Sequence, residues 1–158
     1  MKIGVISDTH LREPHPEFRK MIDFHFKDVE KIFHAGDFVE WSIAEYPLNR
    51  KELIAVCGNM DSYDIQKAFP EKRVIELQGF KIGLIHGGGS PFGIESRIRK
   101  EFDEVDAIVY GHTHTPANHL VKNTYLFNPG SPTRSFIHKA TLGTLSLGEK
   151  IEGEIIKI

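Results

Sequence analysis

The sequence predicts an α/β fold in which two β-sheets pack face to face and helices cover the outside. Two patterns carry that prediction. Strand-like apolar runs alternate with helix-spaced segments through the first two thirds of the chain, and the last third is a series of short β-rich runs separated only by turn signals. Size agrees with it: 158 residues, 40% apolar and 27% charged, is the profile of one globular domain, residues 1–158.

Taken in order, Ile3 to Ile6 is the compact apolar run of a buried strand. Phe18, Met21, Ile22 and His25 then share one helical face, with Pro16 where a first turn tolerates it. Ile32 to Ala35 and Leu53 to Cys57 are further strands, and Arg73 to Leu77 joins Phe80 to Ile85 through Gln78-Gly79. Ile94, Ile98 and Phe102 predict a second helix, followed by a strand at Ala107 to Tyr110. The runs Ala117 to Val121, Thr124 to Phe127, Ala140 to Leu147 and Ile151 to Ile158 read as antiparallel strands, with two-residue turns at Lys122-Asn123 and Gly148-Glu149.

Composition excludes several classes. Twenty Lys and Arg against 22 Asp and Glu leave a net charge of -2, and no basic stripe is present, so a long nucleic acid is not the expected partner. Cys57 is the only cysteine, which excludes an internal disulfide scaffold and points to the cytoplasm. The first apolar run turns polar at Ser7-Asp8 and no later stretch approaches a bilayer span, so no membrane partner is expected. A chain of this size needs no structural metal to hold a core. Any metal would serve chemistry.

The chemistry is legible at the end of each apolar run. Asp8 and His10 come after the first, Asp37 after the second, Asn59 after the third, His86 after the hairpin, and His112 and His114 after the strand near residue 110. In parallel sheets the carboxyl ends of strands lie on one edge, so these distant residues are expected to converge there. Glycines precede three of them, at Gly36, Gly58 and Gly111, where the backbone must turn sharply. Seven N and O donors exceed what one ion with an open position takes and suit a pair, with Asp37 the better bridge. Nitrogen-rich ligation favours Mn, Fe, Zn, Co or Ni over Mg or Ca.

The blocks Ser7-Asp8-Thr9-His10, Gly36-Asp37, Gly58-Asn59-Met60-Asp61, His86-Gly87 and Gly111-His112-Thr113-His114 resemble, in order, those of the calcineurin-like metallophosphoesterases, most closely the small single-domain YfcE-like phosphodiesterases. Asn128-Pro129-Gly130-Ser131 resembles a further loop of that group. The resemblance implies a four-layer αββα sandwich of two mixed sheets between helices. It implies that Asp8, His10, Asp37 and His114 hold one divalent transition metal ion and Asp37, Asn59, His86 and His112 the second. The implied activity is hydrolysis of a small phosphodiester by in-line attack of a metal-bound hydroxide or water, with small nucleotides or synthetic aryl diesters as candidate substrates; family members associate in several ways, a homodimer among them.

One position departs from the pattern. Many relatives carry a histidine where this chain has Met60, and a thioether cannot donate a proton to the leaving group. The expectation is a preference for esters with good leaving groups, or protonation by water, a substrate hydroxyl or Tyr63, with Asp61 kept as an acceptor behind the ligands. The rival readings are a phosphomonoesterase and a protein-binding scaffold like the retromer small subunit, although a scaffold is expected to have eroded ligands. His112-Thr113-His114 running into Thr115-Pro116 does not fit a metallo-β-lactamase, nor does the length fit an amidohydrolase barrel.

The remaining candidates read more simply. His15, His25, His34, His119 and His138 are assigned packing or surface roles, with His34 a satisfied core imidazole. Phe38, Trp41 and Tyr46 are core packing. Ser131, Thr133 and Arg134 have surface roles by default and contact with substrate oxygens as the alternative. The Gly87-Gly88-Gly89 run is either a flexible connector or a phosphate cradle.

Overall fold

In the computed structural model, residues 1–133 and 139–158 are described. The chain order is β1 (Lys2–Ile6), α1 (Pro16–His25), β2 (Lys31–Ala35), α2 (Trp41–Leu48), β3 (Glu52–Val56), α3 (Tyr63–Ala68), β4 (Lys72–Leu77), β5 (Phe80–Ile85), α4 (Ile94–Ile98), β6 (Ala107–Val109), β7 (Ala117–Val121), β8 (Thr124–Asn128), β9 (Thr141–Leu147) and β10 (Ile151–Lys157). They form two five-stranded sheets, ordered β10-β9-β1-β2-β3 and β4-β5-β6-β8-β7. Both are mixed: β1, β2 and β3 run parallel, as do β5, β6 and β8, while β9, β10, β4 and β7 are antiparallel to their neighbours.

The layers arise from period-two alternation. Ile3, Val5, Phe33 and Ala35 of the first sheet meet Ile82, Leu84, Ala107, Val109 and Phe127 of the second in one core between the sheets. The alternate residues Ile6 and Ile32 face outward and are covered by Phe18 and Ile22 of α1, Ile43 of α2 and Ile65 of α3. Ile108 and Tyr110 on the far face of the second sheet pack on Ile94, Ile98 and Phe102. This is an αββα sandwich.

The ten strands lie within a residue or two of their predicted bounds, and Gln78-Gly79 and Lys122-Asn123 are two-residue turns. Four features differ from expectation. The last four strands are not one antiparallel series: β7 and β8 belong to the second sheet, where β8 runs parallel to β6, and β9 and β10 belong to the first. Residues 128–133, which leave β8, pass the sheet edge where the predicted ligands gather. The final turn has three residues, because Leu147 pairs with Ile151 and the N–H of Gly148 donates to the carbonyl of Lys150. Helices α2 and α3 are not predicted by the sequence pattern, since α3 buries only Ile65 and α2 carries Pro47 in its last turn. Elements so short show no stable periodicity. The predicted second helix ends at Ile98 and tightens into a 3₁₀ turn at Arg99–Glu101, yet Phe102 is still buried.

Candidate metal centre

The loops leaving β1, β2, β3, β5 and β6 meet at one edge and are joined by backbone hydrogen bonds. The N–H of Asp8 donates to Gly36 O (3.0 Å), that of His10 to Asp37 O (3.2 Å), and that of Gly111 to His86 O (3.1 Å). Five of the seven predicted ligands sit in left-handed backbone, Asp8 at φ 54°, His10 at 49°, Asp37 at 59°, His112 at 69° and His114 at 56°. Such conformations are rare for residues with a Cβ and persist only where the surroundings impose them. Gly58 and Gly111 are required for close approach: a Cβ on Gly58 would lie 2.6 Å from the Asp37 nitrogen, and one on Gly111 2.7 Å from Asp8 Oδ2.

Side-chain donors converge across these loops. His10 Nε2 lies 3.5 Å from Asp37 Oδ2, 3.8 Å from Asp8 Oδ1 and 3.1 Å from His114 Nε2. His114 Nε2 lies 3.3 Å from Asp8 Oδ1, and His86 Nε2 3.3 Å from Asp37 Oδ2 and 4.0 Å from Asp8 Oδ1. Two compact groups result among the described residues, Asp8 with His10 and His114, and Asp8 with Asp37 and His86. The spacing fits cation ligation, in which donors about 2 Å from one ion stand roughly 3–3.5 Å apart.

Burial and tautomers make the fit chemical as well as geometric. His86 Nδ1 is 2.7 Å from the carbonyl of Ala35 and must carry the proton, so Nε2 presents a lone pair. That nitrogen is buried and makes no hydrogen bond, although two carboxylates face it. A buried orphan of this kind calls for a cation. Burial alone would lower the His86 pKa, but Asp37 and Asp8 outweigh it and raise the value. His114 is raised chiefly by Asp8. Burial pushes the Asp37 carboxyl up, yet contact with His86 and the Met60 N–H leaves it below the usual range.

Two predicted ligands stand at the margin. His112 Nε2 is 2.8 Å from Gly89 O, so its proton sits there and Nδ1 holds the lone pair; its ring meets that of His86 edge-on. Asn59 is exposed and lines a cleft that also borders His86.

Several residues position the donors from behind, through backbone partners that the sequence does not identify. Asp61 accepts from the N–H groups of Asp37 (3.0 Å), Val39 (2.7 Å) and Gly58 (2.7 Å), and so ties the β2 loop to the β3 loop. Val39, at φ 82°, is a strained β-branched residue held by this carboxylate. Burial raises the Asp61 pKa in spite of these bonds. Ser7 Oγ donates to Asp8 Oδ2, and the His112 N–H reaches the same carboxylate at 3.0 Å. Asn128 Nδ2 donates to Gly111 O, and the hydroxyls of Ser131 and Thr133 donate to the carbonyls of Asp8 and Thr9. Ser131 and Thr133 therefore brace the Asp8 loop instead of lying free on the surface. Arg134 and His138 lie outside the described residues.

Most of the simpler readings hold elsewhere. His34 is buried and stacked on Phe38, accepts from the Gly36 N–H at Nδ1 and lies 2.8 Å from Thr9 Oγ1 at Nε2. Its burial lowers its pKa far below the ordinary value, so it is a neutral core imidazole. Phe38 is core, stacked on Phe69, but the core reading fails for Trp41, which stacks on Phe69 from an exposed position, and for Tyr46, which is half-buried and donates to Asp23. Met60 contributes its N–H to Asp37 Oδ1 (2.9 Å), while its side chain is exposed.

Comparison with known proteins agrees with this geometry. The family model of the calcineurin-like phosphoesterase superfamily domain matches residues 1–150. A probable metallophosphoesterase of Methanocaldococcus jannaschii is 37% identical over 162 residues, covering 100% of this chain and 82% of its own. The solved structure of a novel archaeal phosphodiesterase superposes with a TM-score of 0.80 at 29% identity, covering 100% of both chains. Vps29 from Entamoeba histolytica in complex with zinc shares the fold, with a TM-score of 0.73 at 20% identity and 99% of both chains covered. The chain belongs to the calcineurin-like phosphoesterase superfamily and is a phosphoester hydrolase.

Proposed function

We propose that the chain is a dinuclear phosphodiesterase acting on small diesters. The observation that carries this reading is the unbonded, buried His86 Nε2 facing two carboxylates whose other neighbours are His10 and His114. Asp8, His10, Asp37 and His114 would hold one divalent ion and Asp37, Asn59, His86 and His112 the other. Asp37 Oδ2 stands 3.5 Å from His10 and 3.3 Å from His86, which supports it as the bridge. Bound divalent cations would supply the positive charge that draws in a phosphate, polarises its oxygens and acidifies water toward a pKa of about 7.

The chain's own residues then set the limits. Asp61, Ser7 and the glycines fix the donors before substrate arrives, which lowers the reorganisation needed in the reaction. The Met60 side chain cannot protonate a leaving group, and general-acid help is worth about 10²–10⁴ in rate. Esters of acidic alcohols are therefore the better substrates, and Met60→His should raise alkyl diester turnover. The manganese, iron, zinc, cobalt and nickel ions suit these donors.

The test is metal analysis of the purified chain, then manganese-dependent hydrolysis of bis-p-nitrophenyl phosphate, with Asp37→Asn as control. Turnover lost in Asp37→Asn supports the reading. Inactivity after reconstitution favours a scaffold instead, a role that the likeness to Vps29 brings into view. Faster hydrolysis of p-nitrophenyl phosphate than of its diester would make it a phosphomonoesterase. We place the protein in the cytoplasm as a homodimer, the latter open to sedimentation analysis; no helix among the described residues is long and apolar enough to cross a membrane.

A further inference from the structure

A cleft of about 870 Å³ begins at Asn59 and His86 and runs away from the carboxylates toward Lys72 and Glu101. Its size is that of a small-molecule site, typically about 300–1,000 Å³. Phe69, Ile85 and Ile98 give it apolar surface.

Its charges decide what fits. The Lys72 ammonium donates to the carbonyl (3.0 Å) and carboxylate (2.8 Å) of Glu101. The Arg97 guanidinium donates to Phe92 O (2.9 Å), Gly88 O (3.0 Å) and Ser90 O. Lys72 and Glu101 neutralise each other, and the Arg97 guanidinium, with N–H groups spent on carbonyls, is balanced by the negative charge of Glu71, so the walls carry no net charge. A phosphate entering would lose its hydration without a net positive charge to replace it. An uncharged group attached to a phosphate held at the metal centre meets no such obstacle.

We infer that this cleft receives the uncharged, nucleoside-sized substituent of a diester carrying a single phosphate. The inference rests on the phosphodiesterase reading and names its substrate class. Gly88 offers a clean probe, because it lines the cleft and a Cβ built on it meets no atom within 4 Å. A large side chain there would obstruct the cleft without a clash at its own Cβ.

Manganese-loaded wild-type protein and Gly88→Phe should be compared on thymidine 5′-(p-nitrophenyl phosphate) and methyl p-nitrophenyl phosphate, which share a leaving group. The wild type should prefer the thymidine ester by about 10-fold or more, the scale of discrimination by an apolar pocket. Glu71→Trp, a lining position outside the His112 loop, should abolish that preference through KM and leave the methyl ester unchanged, and Gly88→Phe should reduce turnover of the thymidine ester more than that of the methyl ester. Calorimetry should show thymidine 5′-monophosphate binding more tightly than the diphosphate, with Gly88→Phe weakening the monophosphate. No preference in the wild type, or equal losses on both esters, would overturn the cleft assignment. Monophosphate binding weakened by Gly88→Phe without turnover of either ester would support the cleft and overturn the phosphodiesterase reading.

Discussion

The two walls of the metal centre are built on different principles. On the first-sheet side, Asp8 and Asp37 sit on strained backbone fixed by many buried contacts: Ser7, Asp61, Ser131, the Gly36 carbonyl and the closed-off glycines 58 and 111. On the second-sheet side, His112 leans on Gly89 O, in a loop where a Cβ on Gly88 would meet open space and where three carbonyls are held by the exposed Arg97. The first wall is over-determined by buried contacts, and the loop of residues 88–90 in the second is held by one exposed guanidinium. Removing a buried support of the first wall such as Asp61 should therefore cost fold stability together with metal affinity, whereas removing Arg97 from the second should cost metal affinity with little loss of stability.

The largest effect should come from the carboxylates. Asp37→Asn is expected to lower kcat by about 10²–10³-fold, the scale of losing a preorganised electrostatic group, read by steady-state kinetics at saturating manganese. Asp61→Ala comes next. It strands one buried N–H group, at about 1–3 kcal/mol before relaxation, and two part-buried ones that water can reach, and is expected to lower the denaturation midpoint and to weaken manganese binding by roughly 10–100-fold. Arg97→Met should separate the walls most sharply. Manganese affinity should fall by about 10-fold, with a smaller loss of thermal stability than in Asp61→Ala, because Arg97 is exposed and Asp61 is buried. Equal destabilisation by the two variants would break the contrast.

The smallest effect is a pH dependence. His34 has a folded-state pKa far below the ordinary 6.5 of a histidine, so below that value the unfolded chain takes up a proton that the folded chain refuses. Its contribution to stability is complete above about pH 6.5 and falls as the pH drops below it. The stability gap between wild type and His34→Gln, measured by denaturant titration, should be wider at pH 7.5 than at pH 5.5.

Much of the molecule is legible in its sequence, for separable reasons. Strands such as Ile3 to Ile6 and Ala107 to Tyr110 are visible because burial on both faces leaves unbroken apolar runs. The donors are visible because polar residues ending such runs lie on one edge of the sheets. Asp61 could be placed behind the ligands, but its three N–H partners could not, and Arg97 gave no signal, because each acts on backbone atoms that no side-chain pattern encodes. Helices α2 and α3 escaped because three buried residues in one and a single one in the other set no period over so short a length. The pairing of β8 with β6 escaped because turn signals fix hairpins and not the sheet each hairpin joins.

Anomalous diffraction from crystals soaked in manganese tests the shared-carboxylate centre most directly. Two peaks about 3.5–4 Å apart, with Asp37 between them, are expected. A single peak, or none with His86 Nε2 still unligated, would contradict it.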